Sequence, residues 1–197
     1  MRKRNVLLVV LFIVSSMSYG QEMAPGTGFF TIGIGPSNNY TSYRTNTSPA
    51  IRLTYDKGFK EIGPGTLTLG GVLGGFTRKL DGKYFSTSDL TWYSYKWRFS
   101  EMIAAFRVGY YYNFGDLDIK ELNAYAGIAV GARFEFLSES HDGPALPRDY
   151  FVPANNYVNF HMAGFLGVNY FITPNMAIFT EFGYDISYFT LGLTFKM

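Results

Sequence analysis

Between Leu122 and Phe136 every second residue is apolar: Leu122, Ala124, Ala126, Ile128, Val130, Ala132, Phe134 and Phe136 share one face with no polar residue among them. The alternate positions carry Asn123, Tyr125, Gly127, Ala129, Gly131, Arg133 and Glu135. A period of two puts successive side chains on opposite sides of a pleated strand, so the segment 121–137 is predicted to be a strand with one wholly apolar face. In a soluble barrel that face would point inward around a ligand, and Gly127, Ala129 and Gly131 would meet water. Small residues interleaved with Arg and Glu fit a crowded polar interior better. The apolar face is then left to meet hydrocarbon.

The rest of the chain repeats this pattern. Predicted strands cover Gly28–Gly35, about Pro49–Tyr55, Thr66 to about Leu80, about Tyr95–Phe114, Glu121–Leu137, Tyr157–Ile172, Met176–Gly183 and Ser187–Met197. Turn chemistry separates them: Asp56 to Gly65 with Gly58, Gly63 and Pro64, and Thr173-Pro174-Asn175. Gly70, Gly71, Gly74 and Gly75 blur the contrast of the third strand and are expected to mark a bulge or bend. Asp81-Gly82 opens a long excursion rich in aromatic residues, from Tyr84 to Phe99. Its rings could stack on sugars or grip a protein strand, but a hairpin rising above a membrane is the favoured reading. A polar loop with Pro144, Pro147 and Pro153 follows the fifth strand as a stiff cap.

Composition narrows the alternatives. Tyr and Phe number 16 and 19, beside 22 Gly, a combination suited to pleated surfaces and close strand approach. The chain has no cysteine, which removes disulfide scaffolds, thiol nucleophiles and cysteine-rich metal sites. Arg2, Lys3 and Arg4 precede an apolar run from Val6 to Val14, and Ser18-Tyr19-Gly20 offers small residues for a peptidase. Residues 1–20 are therefore expected to be a cleaved export signal and 21–197 the mature domain. The apolar run falls short of the roughly 20 residues a spanning helix needs. Removing those three basic residues from 17 leaves 14 against 15 acidic ones, so nothing favours nucleic acid.

Eight strands in lipid must close, because an unpaired backbone group in hydrocarbon costs several kcal/mol. The fold class expected is all-β: one eight-stranded antiparallel transmembrane barrel of up-and-down meander. Its interior is just wide enough to be filled by side chains. On the strand parity Arg52, Glu101, Arg107, Arg133, Glu135, His161, Glu181 and Lys196 point inward. A turn near Leu117 would set Glu101 opposite Glu135 and diagonal to Arg133, a core ion network rather than a catalytic carboxylate pair. The turn at Pro174 pairs Glu181 with about Gly167 and leaves His161 six residues away, roughly 20 Å along the strand, too far for a catalytic pair. His141 falls in the polar loop, and two histidines alone make no metal site. No catalytic residue, metal or cofactor is expected.

The ending Thr190-Leu191-Gly192-Leu193-Thr194-Phe195-Lys196-Met197 resembles the terminal signal by which outer-membrane barrels are recognised by their assembly machinery, with Thr190, Gly192, Phe195 and Met197 as its positions. Together with Gly65-Thr66-Leu67-Thr68-Leu69-Gly70-Gly71, Tyr125-Ala126-Gly127 and Phe171-Ile172-Thr173-Pro174-Asn175, it makes the chain similar to the small outer-membrane β-barrel domain family of the OmpX type and the OmpA transmembrane domain. The resemblance implies the outer membrane of a Gram-negative bacterium, both termini periplasmic, with membrane lipids and the barrel-assembly machinery as partners. No further domain is expected after the eighth strand, so peptidoglycan attachment does not carry over. The function expected is non-enzymatic: envelope structure or adhesion-like binding of a protein or glycan at loops 37–48, 81–95 and 138–156. A lipid-modifying acyl hydrolase or acyltransferase, and a narrow channel for a small solute, are the alternatives.

Overall fold

In the computed structural model, residues 22–37, 46–114, 121–143 and 156–197 are described. The predicted export signal, the turn near Leu117, the middle of the 37–48 loop and the proline-bearing part of the 138–156 loop lie outside them. Eight strands follow in chain order: β1 (Gly28–Gly35), β2 (Ala50–Ile62), β3 (Gly65–Ser86), β4 (Thr91–Asn113), β5 (Leu122–His141), β6 (Tyr157–Thr173), β7 (Met176–Gly183) and β8 (Phe189–Lys196). Asn46–Thr47 adds a two-residue pairing against Arg78 and Lys79 of β3. Every strand pairs antiparallel with its neighbour in sequence, and β1 pairs with β8 from Phe29↔Lys196 to Ile34↔Leu191. The ring is closed, a meander barrel in which, among the described residues, every strand has a partner on both sides.

Closure lets each face do one thing. Ile51, Leu73, Phe106, Ile128, Phe160 and Leu193 stand exposed on the outside, while Arg52, Thr68, Arg107, Asn123, His161 and Thr194 are buried within. A soluble protein does not cover its wall with such side chains and hide its charges inside; a barrel in lipid does. For orientation, the end holding the start of β1 and the finish of β8 is the near rim, and the opposite end the far rim.

Several boundaries differ from the sequence reading, among them the last strand, which begins at Phe189 rather than Ser187. The second strand does not stop at Tyr55 but pairs on to Ile62↔Gly65, so the link shrinks to Gly63-Pro64, with Gly63 at φ 58. Its bulge falls between Gly58 and Lys60, not among the β3 glycines. Those glycines lie in regular register, and Gly70, Gly74 and Gly75 serve close approach instead: a Cβ on Gly70 would sit 2.1 Å from the Tyr55 carbonyl oxygen. The aromatic excursion is a regular hairpin, paired from Leu80↔Trp97 to Ser86↔Thr91. And β5 runs past Leu137 to pair His141 with Tyr95. Backbone pairing continues wherever a neighbour is present, which local turn propensity in Asp56, Asp81 and Ser138 does not reveal.

The interior is layered along β4. At the near rim Met23 is fully buried; its carbonyl accepts bonds from Thr66 Oγ1 at 2.7 Å and Asn113 Nδ2 at 3.0 Å, so the segment before β1 turns into the mouth. Above it Tyr111 stacks on Tyr125 at 4.6 Å between centroids, with Phe29 edge-on to Tyr111. Next comes a layer of ionic groups, then Ile103, Ile186, Val72 and Phe76, then a second ionic group around Glu101.

Candidate functional site

The central ionic layer is built from strands that are not neighbours. Glu181 on β7 accepts Arg107 Nη1 at 3.2 Å and Nη2 at 3.1 Å, a two-pronged pair, and also meets Arg52 Nη2 of β2. The hydroxyl of Tyr125 donates to Glu181 Oε2 at 3.0 Å. Arg107 reaches on through Nε to Asp56 Oδ1 at 3.3 Å, and Tyr111 donates its hydroxyl to Asp56 Oδ2 at 2.9 Å. At the other end Arg52 Nη1 lies 4.0 Å from Asp185, whose Oδ1 stands 3.2 Å from His161 Nε2. The Arg107 guanidinium sits 3.6 Å above the ring centroid of Phe165. Two guanidiniums and three carboxylates thus form one chain across the lumen, ending at an imidazole.

The outer layer is smaller. Glu101 holds Arg78 through one oxygen and lies 3.7 Å from Arg133 Nη1 through the other. Glu135 stands directly across from Glu101 in the ladder, with Asn159 Nδ2 at 3.5 Å from its Oε1. Arg78 also lies within 6 Å of the rings of Phe76 and Phe99, at 5.8 and 5.6 Å.

These contacts place each residue named from the sequence. Arg52, Arg107 and Glu181 meet in the central layer, and Glu101, Arg133 and Glu135 gather in the outer one. Glu181 pairs with Gly167 in the ladder, and His161 contacts Asp185 rather than Glu181. Lys196 stands at the near rim, partly buried; the side chain of His141 lies outside the description. In the last strand Thr190 is buried and Gly192 and Phe195 are half-buried, and Met197, just past its end, is exposed. Asp56, Arg78, Tyr111, Asp185 and the donor role of Tyr125 were not singled out. The sequence reading puts Asp56 and Asp185 in the links between strands. Parity flags Asp56 once the second strand is continued by one residue past Tyr55, since it follows Arg52 and Thr54 on the inner face.

What the central layer can do follows from its saturation. Both oxygens of Glu181 are taken, Arg107 uses all three nitrogens, and these side chains are only 1–2% exposed. A buried carboxylate so fully engaged has no free lone pair aimed at a substrate. The His161 imidazole is likewise enclosed, and Ser187, two residues beyond its contact, donates its hydroxyl to the Phe189 carbonyl at 2.5 Å.

Comparison with solved structures agrees with this architecture. The outer membrane protein OprG of Pseudomonas aeruginosa is similar at TM-score 0.53 and 13% identity, with 91% of this chain and 99% of that one covered. Also similar are a de novo designed transmembrane β-barrel (TM-score 0.47, 16% identity, 89% and 99% covered) and Ail, the attachment invasion locus protein of Yersinia pestis, in complex with the heparin analogue sucrose octasulfate (TM-score 0.43, 13% identity, 87% and 96% covered). No protein-family model and no curated protein sequence matches the chain. The fold is that of the small eight-stranded outer-membrane β-barrels.

Proposed function

We propose that this protein is a non-enzymatic integral outer-membrane barrel that contributes to envelope structure and presents its far rim to partners. The observation that carries this reading is the ionic layer joining Asp56, Arg107, Glu181, Arg52 and Asp185 across the lumen. Such a septum blocks free diffusion and offers no accessible nucleophile. Its role is structural: the charges satisfy one another in place of water, because a lone buried charge is costly.

Residues 1–20 act as the export signal, and Thr190, Gly192, Phe195 and Met197 are read by the assembly machinery. The near rim then faces the periplasm and the far rim the exterior, which suits the short Gly63-Pro64 and Pro174-Asn175 turns at one end and the long β3–β4 hairpin at the other. Purified protein should migrate faster unboiled than boiled on a detergent gel, and should show no stable conductance steps in a planar bilayer. Steady wild-type conductance abolished by substituting Arg107 would make the protein a channel and refute the sealed interior. Altered lipid acylation after deletion of the gene would refute the non-enzymatic reading.

A further inference from the structure

Outside the barrel, where β3, β4 and β5 rise past the apolar belt, a polar cleft of about 380 Å³ is lined by Lys79, Lys96, Arg98, Ser138 and Ser140, with Asp81 beside them. Register places these side chains on one outward surface: Lys79 pairs with Arg98, Arg98 with Ser138, and Lys96 with Ser140. All five are exposed. Among the described residues none of the three cations belongs to an ion pair, whereas Arg52, Arg78, Arg107 and Arg133 inside the barrel are all paired. Three cations outweigh the single carboxylate of Asp81, which stands opposite Lys96 in the ladder, and with two hydroxyls around one cleft they fit a phosphate-bearing anion.

Lower on the same strands the outward face holds a second, apolar groove of about 720 Å³. Its floor is made by the small residues Gly71, Ala104 and Ala132, and Leu73 and Phe106 stand as its walls. Ala104 pairs with both Leu73 and Ala132, and Phe30, Leu53 and Tyr55 extend the groove across β2 to β1, so it crosses five strands at mid-belt. From Ala104 to Arg98 is six residues, roughly 20 Å along the strand and about 15 Å along the membrane normal at a tilt near 40°. That equals half of a hydrocarbon core about 30 Å thick. The cations therefore sit at headgroup height above a groove at chain depth.

We infer that the Lys79–Lys96–Arg98 cleft and the Gly71–Ala104–Ala132 groove form one binding site for an anionic phosphate-bearing membrane lipid, its headgroup on the cations and an acyl chain in the groove. This rests on the reading of the protein as a membrane barrel and adds the site and the charge of the lipid. The three cations hold the phosphate as point charges and a fork, and the two serines supply donors.

The test is native mass spectrometry of the full chain in neutral detergent micelles, supplied with dioleoyl phosphatidylglycerol, dioleoyl phosphatidylcholine or inorganic phosphate. Wild type is expected to retain phosphatidylglycerol over phosphatidylcholine. The triple variant Lys79→Gln, Lys96→Gln, Arg98→Gln should lose that preference by roughly ten- to hundred-fold in affinity. Ala104→Phe, which fills the groove, should weaken both lipids while leaving the gel shift of the folded barrel intact. Lys57→Gln with Lys60→Gln, at the other rim, should change nothing. Equal loss from both sets of lysine variants would mean general attraction to a charged surface and would overturn the site. Retention unaffected by the triple variant, or displacement of lipid by millimolar inorganic phosphate, would overturn it too. Absence of the gel shift in wild type would instead refute the barrel, and the inference with it.

Discussion

Arg107 on β4 donates Nη1 and Nη2 to the two carboxylate oxygens of Glu181 on β7 at 3.2 and 3.1 Å, although β5 and β6 stand between them in the wall. The pair spans the lumen rather than a ladder. Its formation therefore depends on the ring being closed, which ties an ion pair to the completion of the whole fold.

Removing one side of that pair leaves the other charge buried with only its secondary partner, Asp56 for Arg107 or Arg52 for Glu181, at a cost of about 3–5 kcal/mol. Glu181→Ala is the severer change, because it takes the shared carboxylate from both Arg52 and Arg107 and leaves them only Asp185 and Asp56. Urea titration followed by far-ultraviolet circular dichroism should show this loss. Replacing Arg52, Asp56, Arg107 and Glu181 together by apolar residues of similar size should restore most of it, with Asp185 left against His161. Tryptophan fluorescence is a poor reporter here, since the chain's 2 Trp, Trp92 and Trp97, both lie in the β3–β4 hairpin.

Adjacent glycines in β3 should respond in opposite ways. Gly70 points inward, where a Cβ would meet the Tyr55 carbonyl at 2.1 Å and Asp56 Oδ1 at 2.3 Å. Gly71 points outward, and its Cβ would find nothing nearer than the Ala105 carbonyl at 3.6 Å. Gly70→Ala is expected to cost roughly 1–3 kcal/mol by overpacking and to disturb Asp56 and hence Arg107. Gly71→Ala should be near neutral, and comparing the two unfolding midpoints checks the assignment of faces.

The near mouth is stoppered by Met23. Truncation to Ala should cost about 2–5 kcal/mol through the cavity it leaves against the aromatic layer. Thr66→Val should cost less, roughly 0.5–1.5 kcal/mol, because Asn113 still donates to the Met23 carbonyl. A protease supplied at the near rim should cut Met23→Ala protein around residues 22–27 faster than wild type.

At the hairpin tip, hydrogen bonds from Ser86 and Tyr93 hold the Asp89 carboxyl below the usual carboxylate range, and the bond to Asp89 raises the Tyr93 phenol. A depressed carboxyl contributes order above its unfolded value and loses it as pH falls through the folded one. A raised phenol contributes below its unfolded value and loses it as pH rises through the folded one. The tip should therefore be most ordered between the two titrations. Trp92, stacked on Phe85 at 5.3 Å, is the reporter: its emission should shift on acidification below pH 4 or so. In Asp89→Asn that acid step should vanish.

How far the chain is readable shows best in pairs of residues. Glu101 opposite Glu135, and Glu181 opposite Gly167, follow from counting away from one turn, because a ladder advances one residue per strand at a time. His161 beside Asp185 did not follow, because Asp185 sits in a link whose path no ladder sets. Asp56 was hidden by Gly58 and Pro64, whose turn chemistry suggested that the strand ended earlier than it does. The turn chemistry of Asp81-Gly82 likewise conceals the regular pairing of the hairpin above Leu80.

The sequence by itself determined the period-two patterning, the division into an apolar and a polar face, and the number of strands, since each depends on residues close along the chain. Only the tertiary structure decided which inward charge meets which. Arg107 reaches Glu181, and Arg52 spans Glu181 to Asp185, because contacts across a lumen depend on the stagger with which the first and last strands close. That stagger is a property of the whole ring, and no local segment carries it.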